Sequence, residues 1–210
     1  MATEKDEASL NRVEKQVLLL DANRNPVLAN VRLSDTWSGR GRWGTGPFVF
    51  GGVYQLEIPN VEGRVGTMKV SLHESLCGPY DGEEYVCLSY TSSYGGSIYK
   101  GIGVQVARIC IDLARENRLE QRVGLTSAYG SGNFWLKLGF THPANMTREQ
   151  FLEYMRSNEG NGRTMYLTPE NAERITEIAK NPELLKEFYA QPTPRTPRQT
   201  APVSFAVNEE

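Results

Sequence analysis

The sequence predicts an α/β fold: a series of strands around one central helix, followed by two further helices. Three observations predict it. Short runs rich in Val, Leu, Ile and Tyr recur between turn residues from Val17 to Tyr90, the signature of consecutive strands. The segment Val104 to Asn117 carries Val104, Ala107, Ile111 and Ala114 on one helical stripe, which Val106, Ile109 and Leu113 widen. A helix this apolar packs on a sheet. Two amphipathic segments, Pro169 to Lys180 and Pro182 to Tyr189, each open on a proline, the residue preorganised for a first helical turn. A chain of 210 residues, 39% apolar and 23% charged, supplies one globular domain whose core needs no disulfide or metal.

The elements follow in order. Residues 1–11 are highly charged and lack periodicity, and read as disordered. Val17 to Leu20 and Val27 to Val31 flank Asp21-Ala22-Asn23-Arg24-Asn25-Pro26, a turn-rich hexamer that predicts a hairpin. Residues 36–52 hold Gly39, Gly41, Gly44, Gly46, Gly51 and Gly52 and read as a loop. Val53 to Ile58, Val65 to Leu72 and Glu84 to Tyr90 are strands. A glycine-bearing loop from Ser92 to Gly103 leads into the central helix. Arg122 to Ser127 is a strand, and Asn133 to Leu138 a short helix closed by Gly139. Thr147 caps a helix to Arg156, and Arg163 to Leu167 is a strand. The domain therefore spans 12–168, with a helical extension over 169–190. Residues 191–210, with Pro192, Pro194, Pro197 and Pro202, read as a disordered tail.

Composition narrows the function. A net charge of −2 argues against a chain built to grip a phosphate backbone. Arg40-Gly41-Arg42-Trp43-Gly44 has the residue types for stacking on nucleic acid, but within a net-acidic chain an ordinary loop is the better reading. Two histidines, His73 and His142, exclude a histidine-rich metal site, and no metal is expected. Cys77, Cys87 and Cys110 lack paired spacing and read as reduced thiols. No apolar run reaches the roughly 20 residues of a membrane span, and the N-terminus has no apolar signal core. Together these point to a soluble, cytoplasmic protein with neither membrane nor nucleic acid as partner.

The informative segment is Ser97-Ile98-Tyr99-Lys100-Gly101-Ile102-Gly103-Val104-Gln105. A strand, a glycine turn and a helix start present several unpaired backbone N–H groups to one anion. Lys100 adds a mobile countercharge. The nucleotide P-loop pattern fails, because Ile102 and Gly103 follow Gly101 where Lys and Ser/Thr are required. The dinucleotide fingerprint fails as well, because Val106 stands where its third glycine belongs. Close helix-to-strand packing accounts equally well for the two glycines alone.

A second segment, Ser131-Gly132-Asn133-Phe134-Trp135-Leu136-Lys137-Leu138-Gly139-Phe140, follows the next strand. The pair of segments, over residues 84–141, resembles the GNAT superfamily of N-acetyltransferases. The resemblance implies a mixed, mainly antiparallel twisted sheet with the central helix packed on it. It also implies acetyl- or acyl-coenzyme A as co-substrate, held by Ile98, Tyr99, Lys100, Gly101, Ile102, Gly103 and Val104, together with Ser92, Ser93 and Asn133. The chain departs from the family pattern at three places. Ile98 replaces the Gln/Arg of the pyrophosphate loop, Trp135 replaces the tyrosine that protonates the leaving thiolate, and 32–52 replaces two helices that shape the acceptor side. An indole N–H is not an acid at any working pH.

Acyl transfer to an amine requires the amine neutral, although a lysine amine has a free pKa near 10.4. Glu84, at the start of its strand, shares a face with Val86, Leu88 and Tyr90 and is the candidate base, with His73 as the other. Tyr129 is the candidate acid, with Tyr90 second. For each, an ordinary solvated or packing role competes. The sequence thus reads as an acyl-CoA-dependent N-acyltransferase, most simply an N-acetyltransferase, acting on an amine-bearing small molecule or protein. The alternative is a catalytically divergent member that keeps the fold as a ligand-binding or protein-interaction module.

Overall fold

The computed structural model describes residues 10, 15–40, 48–74, 84–94, 98–127, 131–141 and 163–192. Strands β1 (Gln16–Leu20) and β2 (Pro26–Arg40) form the expected hairpin. Its turn is fixed by Asp21, whose carboxylate accepts from the Asn23 and Asn25 amides at 2.8 Å each. Those bonds, the Asn25 amide first, hold the Asp21 carboxyl below its ordinary range. Strands β3 (Phe48–Glu57), β4 (Arg64–Glu74) and β5 (Glu84–Ser93) continue the antiparallel meander.

The loop expected over 36–52 is a correction. Residues 36–40 end β2 and 48–52 begin β3, paired from Thr36–Gly52 to Arg40–Phe48, while 41–47 lie outside the described residues. The glycine here serves close approach within a sheet. A Cβ on Gly51 would stand 2.5 Å from the Val70 carbonyl oxygen and 2.6 Å from the Trp37 indole, so only glycine lets Trp37 lie across the strand.

Helix α1 (Ile102–Glu116) connects β5 to β6 (Val123–Ser127), and β6 pairs parallel with β5. Helix α2 (Gly132–Leu138), β7 (Phe140–Thr141) and β8 (Arg163–Leu167) follow, with β8 lying between β6 and β7. The eight strands form one mixed, mostly antiparallel sheet in the order β1-β2-β3-β4-β5-β6-β8-β7. Helices α3 (Pro169–Lys180) and α4 (Pro182–Ala190) end the described chain.

Alternation puts Tyr54, Leu56, Met68, Val70, Val86 and Leu88 on one face of the sheet, and all are buried. Helix α1 fills that side with Val104, Val106, Ala107, Ile109, Ile111, Leu113 and Ala114. Its β-branched residues are poor helix formers, and burial on nearly every side overrides that preference. Gln105 in its first turn is fully buried. Its Nε2 donates to the Leu18 carbonyl at 2.7 Å and the Ala179 carbonyl at 2.8 Å, tying β1 and α3 to the helix. Within the N-terminal segment read as disordered, the described residue Leu10 is buried, and its carbonyl accepts from Tyr54 Oη at 2.8 Å. The helix expected over 147–156 and the tail beyond 192 lie outside the described residues. No helix of the described residues is long and apolar enough to cross a membrane.

Candidate functional site

The parallel pairing of β5 and β6 is short. Val86, Cys87 and Leu88 oppose Val123, Gly124 and Leu125, and there it ends. Strand β5 runs on to Ser93 against β4 alone, and β6 to Ser127 against β8 alone. A bulge accompanies the parting: Lys69 opposes Tyr90 and Val70 opposes Leu88, which leaves Ser89 as the extra residue. The Val86 amide bonds toward β6 and the Tyr94 amide toward β4. With the bulge between them, alternation turns the backbone groups of Thr91 and Ser93 away from β4. Among the described residues no strand pairs with them on that side. The result is a notch, one wall of which is a strand edge able to hydrogen-bond an extended, amide-bearing ligand.

The start of α1 lies beside this notch. Ser93 opposes Gly66 in register, and a Cβ on Gly66 would stand 3.0 Å from Ile102 Cγ2. Gly101 is the N-cap residue at φ +108°, a left-handed conformation that L side chains rarely adopt. The first bond of the helix runs from the Gln105 amide to the Gly101 carbonyl at 2.9 Å. The amides of Ile102, Gly103 and Val104 therefore have no acceptor within the helix, and the dipole adds positive character where they converge.

Other groups close over this start. Lys100 pairs with Leu20 through two backbone hydrogen bonds of 2.8 and 2.9 Å, so its amide faces β1. Leu19 Cδ2 and Leu185 Cδ2 each lie 3.3 Å from where a Cβ would stand on Gly101. The Tyr189 phenol lies against the same backbone. Burial pushes its pKa up to about 12, and a hydrogen bond with the Gly101 backbone works in the opposite direction. On Gly103 a Cβ would fall 2.6 Å from Phe134 Cζ. Phe134 packs edge-on to Trp135 at 5.0 Å and to Phe188 at 6.1 Å between ring centroids.

The structure brings some of the expected residues together and separates others. Ser92 and Ser93 stand at the notch, and Ile98 is exposed in the loop. Tyr99 packs partly against the core, and Lys100 is exposed. Ile102 and Val104 are buried beside Gly101 and Gly103, and Asn133 sits half-buried in the first turn of α2. Glu84 stands apart from the notch. It begins β5, exposed, opposite Glu74, and its carbonyl accepts from Arg122 Nε at 2.9 Å. The notch opens at Ser89, five residues further on, about 16 Å at roughly 3.3 Å per residue. Alternation gave Glu84 the face of Val86, but the pairing of β5 with β6 ends beyond it, so it stands at the closed end. Tyr129 lies outside the described residues, His73 falls within β4, and Tyr90 is 48% exposed.

Trp135 is 4% exposed and edge-on to Phe140 at 5.5 Å, a core aromatic. Burial raises the pKa of both the Cys87 and the Cys110 thiols, the opposite of what a nucleophile requires. Among the described residues no three His, Cys, Asp or Glu side chains converge as a metal site would require. Sequence reasoning missed Leu185 and Tyr189 as neighbours of the helix start. The amphipathic pattern of α4 showed that its apolar face is covered, but not by what. Comparison with protein-family models and with curated proteins finds no match for this chain.

Proposed function

We propose that the chain is an acyl-CoA-dependent N-acyltransferase of GNAT-like architecture, most simply moving an acetyl group from coenzyme A to an amine. The observation that carries the reading is the notch between β5 and β6 with the start of α1 beside it. The order of elements adds support: strand, helix and parallel strand, then a short helix and two antiparallel strands, with β8 inserted between β6 and β7. A long ligand with amides along its length and a diphosphate at one end suits a free strand edge that leads to a helix N-terminus.

In this reading the Thr91 and Ser93 backbone groups pair with the ligand's amides. The Ile102, Gly103 and Val104 amides take the anionic end, and the exposed Lys100 adds countercharge. A thioester supplies an electrophilic carbonyl and a good leaving group. Orientation along the strand edge is then the chain's main contribution to rate. A thiol with an ordinary pKa near 8.5 departs as thiolate without an acid, which is consistent with an indole at Trp135.

A second reading, a divergent ligand-binding or protein-interaction module, is favoured by the side chains of Leu185, Tyr189 and Phe134 packed on the loop glycines. Thermal unfolding with and without acetyl-coenzyme A separates the two. Ligand at 100 times its Kd adds about 2.7 kcal/mol of stability, and the absence of any shift at millimolar ligand rejects the first reading.

A further inference from the structure

An open hollow of about 650 Å³ lies where β2, β3 and β4 meet the β3–β4 turn. Alternation sets it on the sheet face turned away from α1. Tyr54 and Leu56 are buried toward the core, so Gln55 and Glu57, which line the hollow, point to the opposite face. Asn30 opposes Glu57, and Glu57 opposes Arg64, so three lining side chains stand in one row across the three strands. The turn at the rim is closed by the Val61 amide, which donates to the Ile58 carbonyl at 3.1 Å. The notch is a different place: β3 and β5 are two strands apart, about 10 Å at roughly 4.8 Å per strand.

The row holds opposite charges that do not meet. A carboxylate and a guanidinium directly opposed across a sheet ordinarily close on each other. Here Glu57 is half-buried and, among the described residues, forms neither an ion pair nor a hydrogen bond. Arg64 lies instead over the Tyr94 ring, 4.9 Å from its centre. That stack holds the guanidinium plane and leaves its in-plane N–H donors without an acceptor among the described residues. Gln55 is half-buried and without a side-chain hydrogen bond as well. Asn30 uses its Oδ1, which accepts from Gln16 Nε2 at 3.2 Å, and keeps its Nδ2 as a donor.

We infer that this hollow binds an α-amino acid, with the ligand's ammonium on Glu57 and its carboxylate on Arg64. The Cβ atoms of directly opposed residues stand about 5 Å apart, so the two groups can grip a ligand whose own charges sit on neighbouring carbons. An anion alone would meet the unpaired Glu57 carboxylate, and a cation alone the unpaired guanidinium; a zwitterion satisfies both. A stacked guanidinium is preorganised to take a carboxylate through two parallel hydrogen bonds. Gln55 and Asn30 add an amide donor and acceptor beside it. The inference does not depend on the acyl-CoA reading of the notch.

The test screens the full chain against the genetically encoded amino acids by saturation-transfer NMR. The strongest binder is then titrated against the backbone amides of 55–64. Its N-acetyl derivative lacks the ammonium and its carboxamide lacks the carboxylate. Each is expected to bind at least tenfold more weakly, the usual effect of losing a hydrogen bond to a charged group. Glu57→Gln is expected to weaken binding of the free amino acid at least tenfold, with no such effect on the N-acetyl derivative. Arg64→Gln is expected to do the same with the carboxamide as its insensitive ligand. Should either variant melt well below the parent, the two derivatives on the parent chain give the same reading. No binding by any amino acid, shifts that fall outside the hollow, or derivatives and variants that bind as the parent pair does would each overturn the inference.

Discussion

Gly103→Asp tests the proposed anion site most directly, because the structure separates its effect on binding from its effect on folding. The new Cβ would stand 2.6 Å from Phe134 Cζ and 2.7 Å from Phe134 Cε1, the far end of a side chain that can turn aside. A carboxylate in the first turn of α1 suits the helix dipole by about 0.3–1 kcal/mol, and replacing a helical glycine recovers up to about 1 kcal/mol. These gains roughly offset the displaced ring, so Tm is expected to stay within about 4 °C of the parent chain. Binding behaves differently. A carboxylate about 4 Å from a phosphate oxygen repels it by about 4 kcal/mol at an effective dielectric of 20, close to three decades of Kd. Gly103→Ala makes the same steric demand without the charge and is expected to lose less than tenfold. Calorimetry with acetyl-coenzyme A on all three proteins, beside thermal melts, decides the matter. Equal affinities for the Asp and Ala variants would refute the assignment of the diphosphate to these amides.

The other predictions concern Glu84, Trp135 and Tyr189. Glu84→Gln is expected to leave turnover and its pH profile unchanged, because Glu84 stands at the closed end of β5; a lost basic limb in kcat/KM would return it to the chemistry. Trp135→Tyr is expected to keep turnover but to lower stability by about 1–3 kcal/mol, the usual cost of a poor fit in a packed core. A collapse of kcat with the fold intact would mean that the indole positions the thioester. Tyr189 titrates at about 12 in the folded chain against an ordinary 10.0. Its folded-state pKa is raised, so its contribution is complete below pH 10 and is lost between pH 10 and 12, about 3 kcal/mol in all. Denaturant unfolding at both ends of that window should show a smaller loss for Tyr189→Phe; identical losses would place the phenol outside the core.

Much of the fold is legible because it rests on local rules. The Asp21–Asn25 turn, the alternation along β3 to β5 and the apolar breadth of α1 each specify their element without reference to distant residues. The misreading of 36–52 has a tertiary cause: Gly51 signals a loop by composition, yet its missing Cβ makes room for the Trp37 ring and the Val70 carbonyl of the adjacent strands. Leu10 shows the same limit. Nothing in a charged N-terminal segment reveals that one carbonyl will meet a buried tyrosine hydroxyl 44 residues away.

The candidate site divides in the same way. That a strand runs through a glycine turn into a helix is written in consecutive residues, and so is the convergence of amides at the helix start. Whether those amides face solvent, a ligand or the chain itself depends on residues some 80 positions later. The two glycines illustrate why the motif cannot decide. Gly101 needs its positive φ to begin the helix, whatever lies outside. Gly103 has the room a phosphate would need, and Phe134 stands in that room. Absence of a side chain serves a ligand and a neighbouring ring equally well. Here the ring is held on two sides, edge-on to Trp135 at 5.0 Å and to Phe188 at 6.1 Å between ring centroids. Gly103→Asp beside Gly103→Ala therefore reads what the motif cannot: a loss confined to the charged variant assigns the space to an anion, and equal losses assign it to the ring.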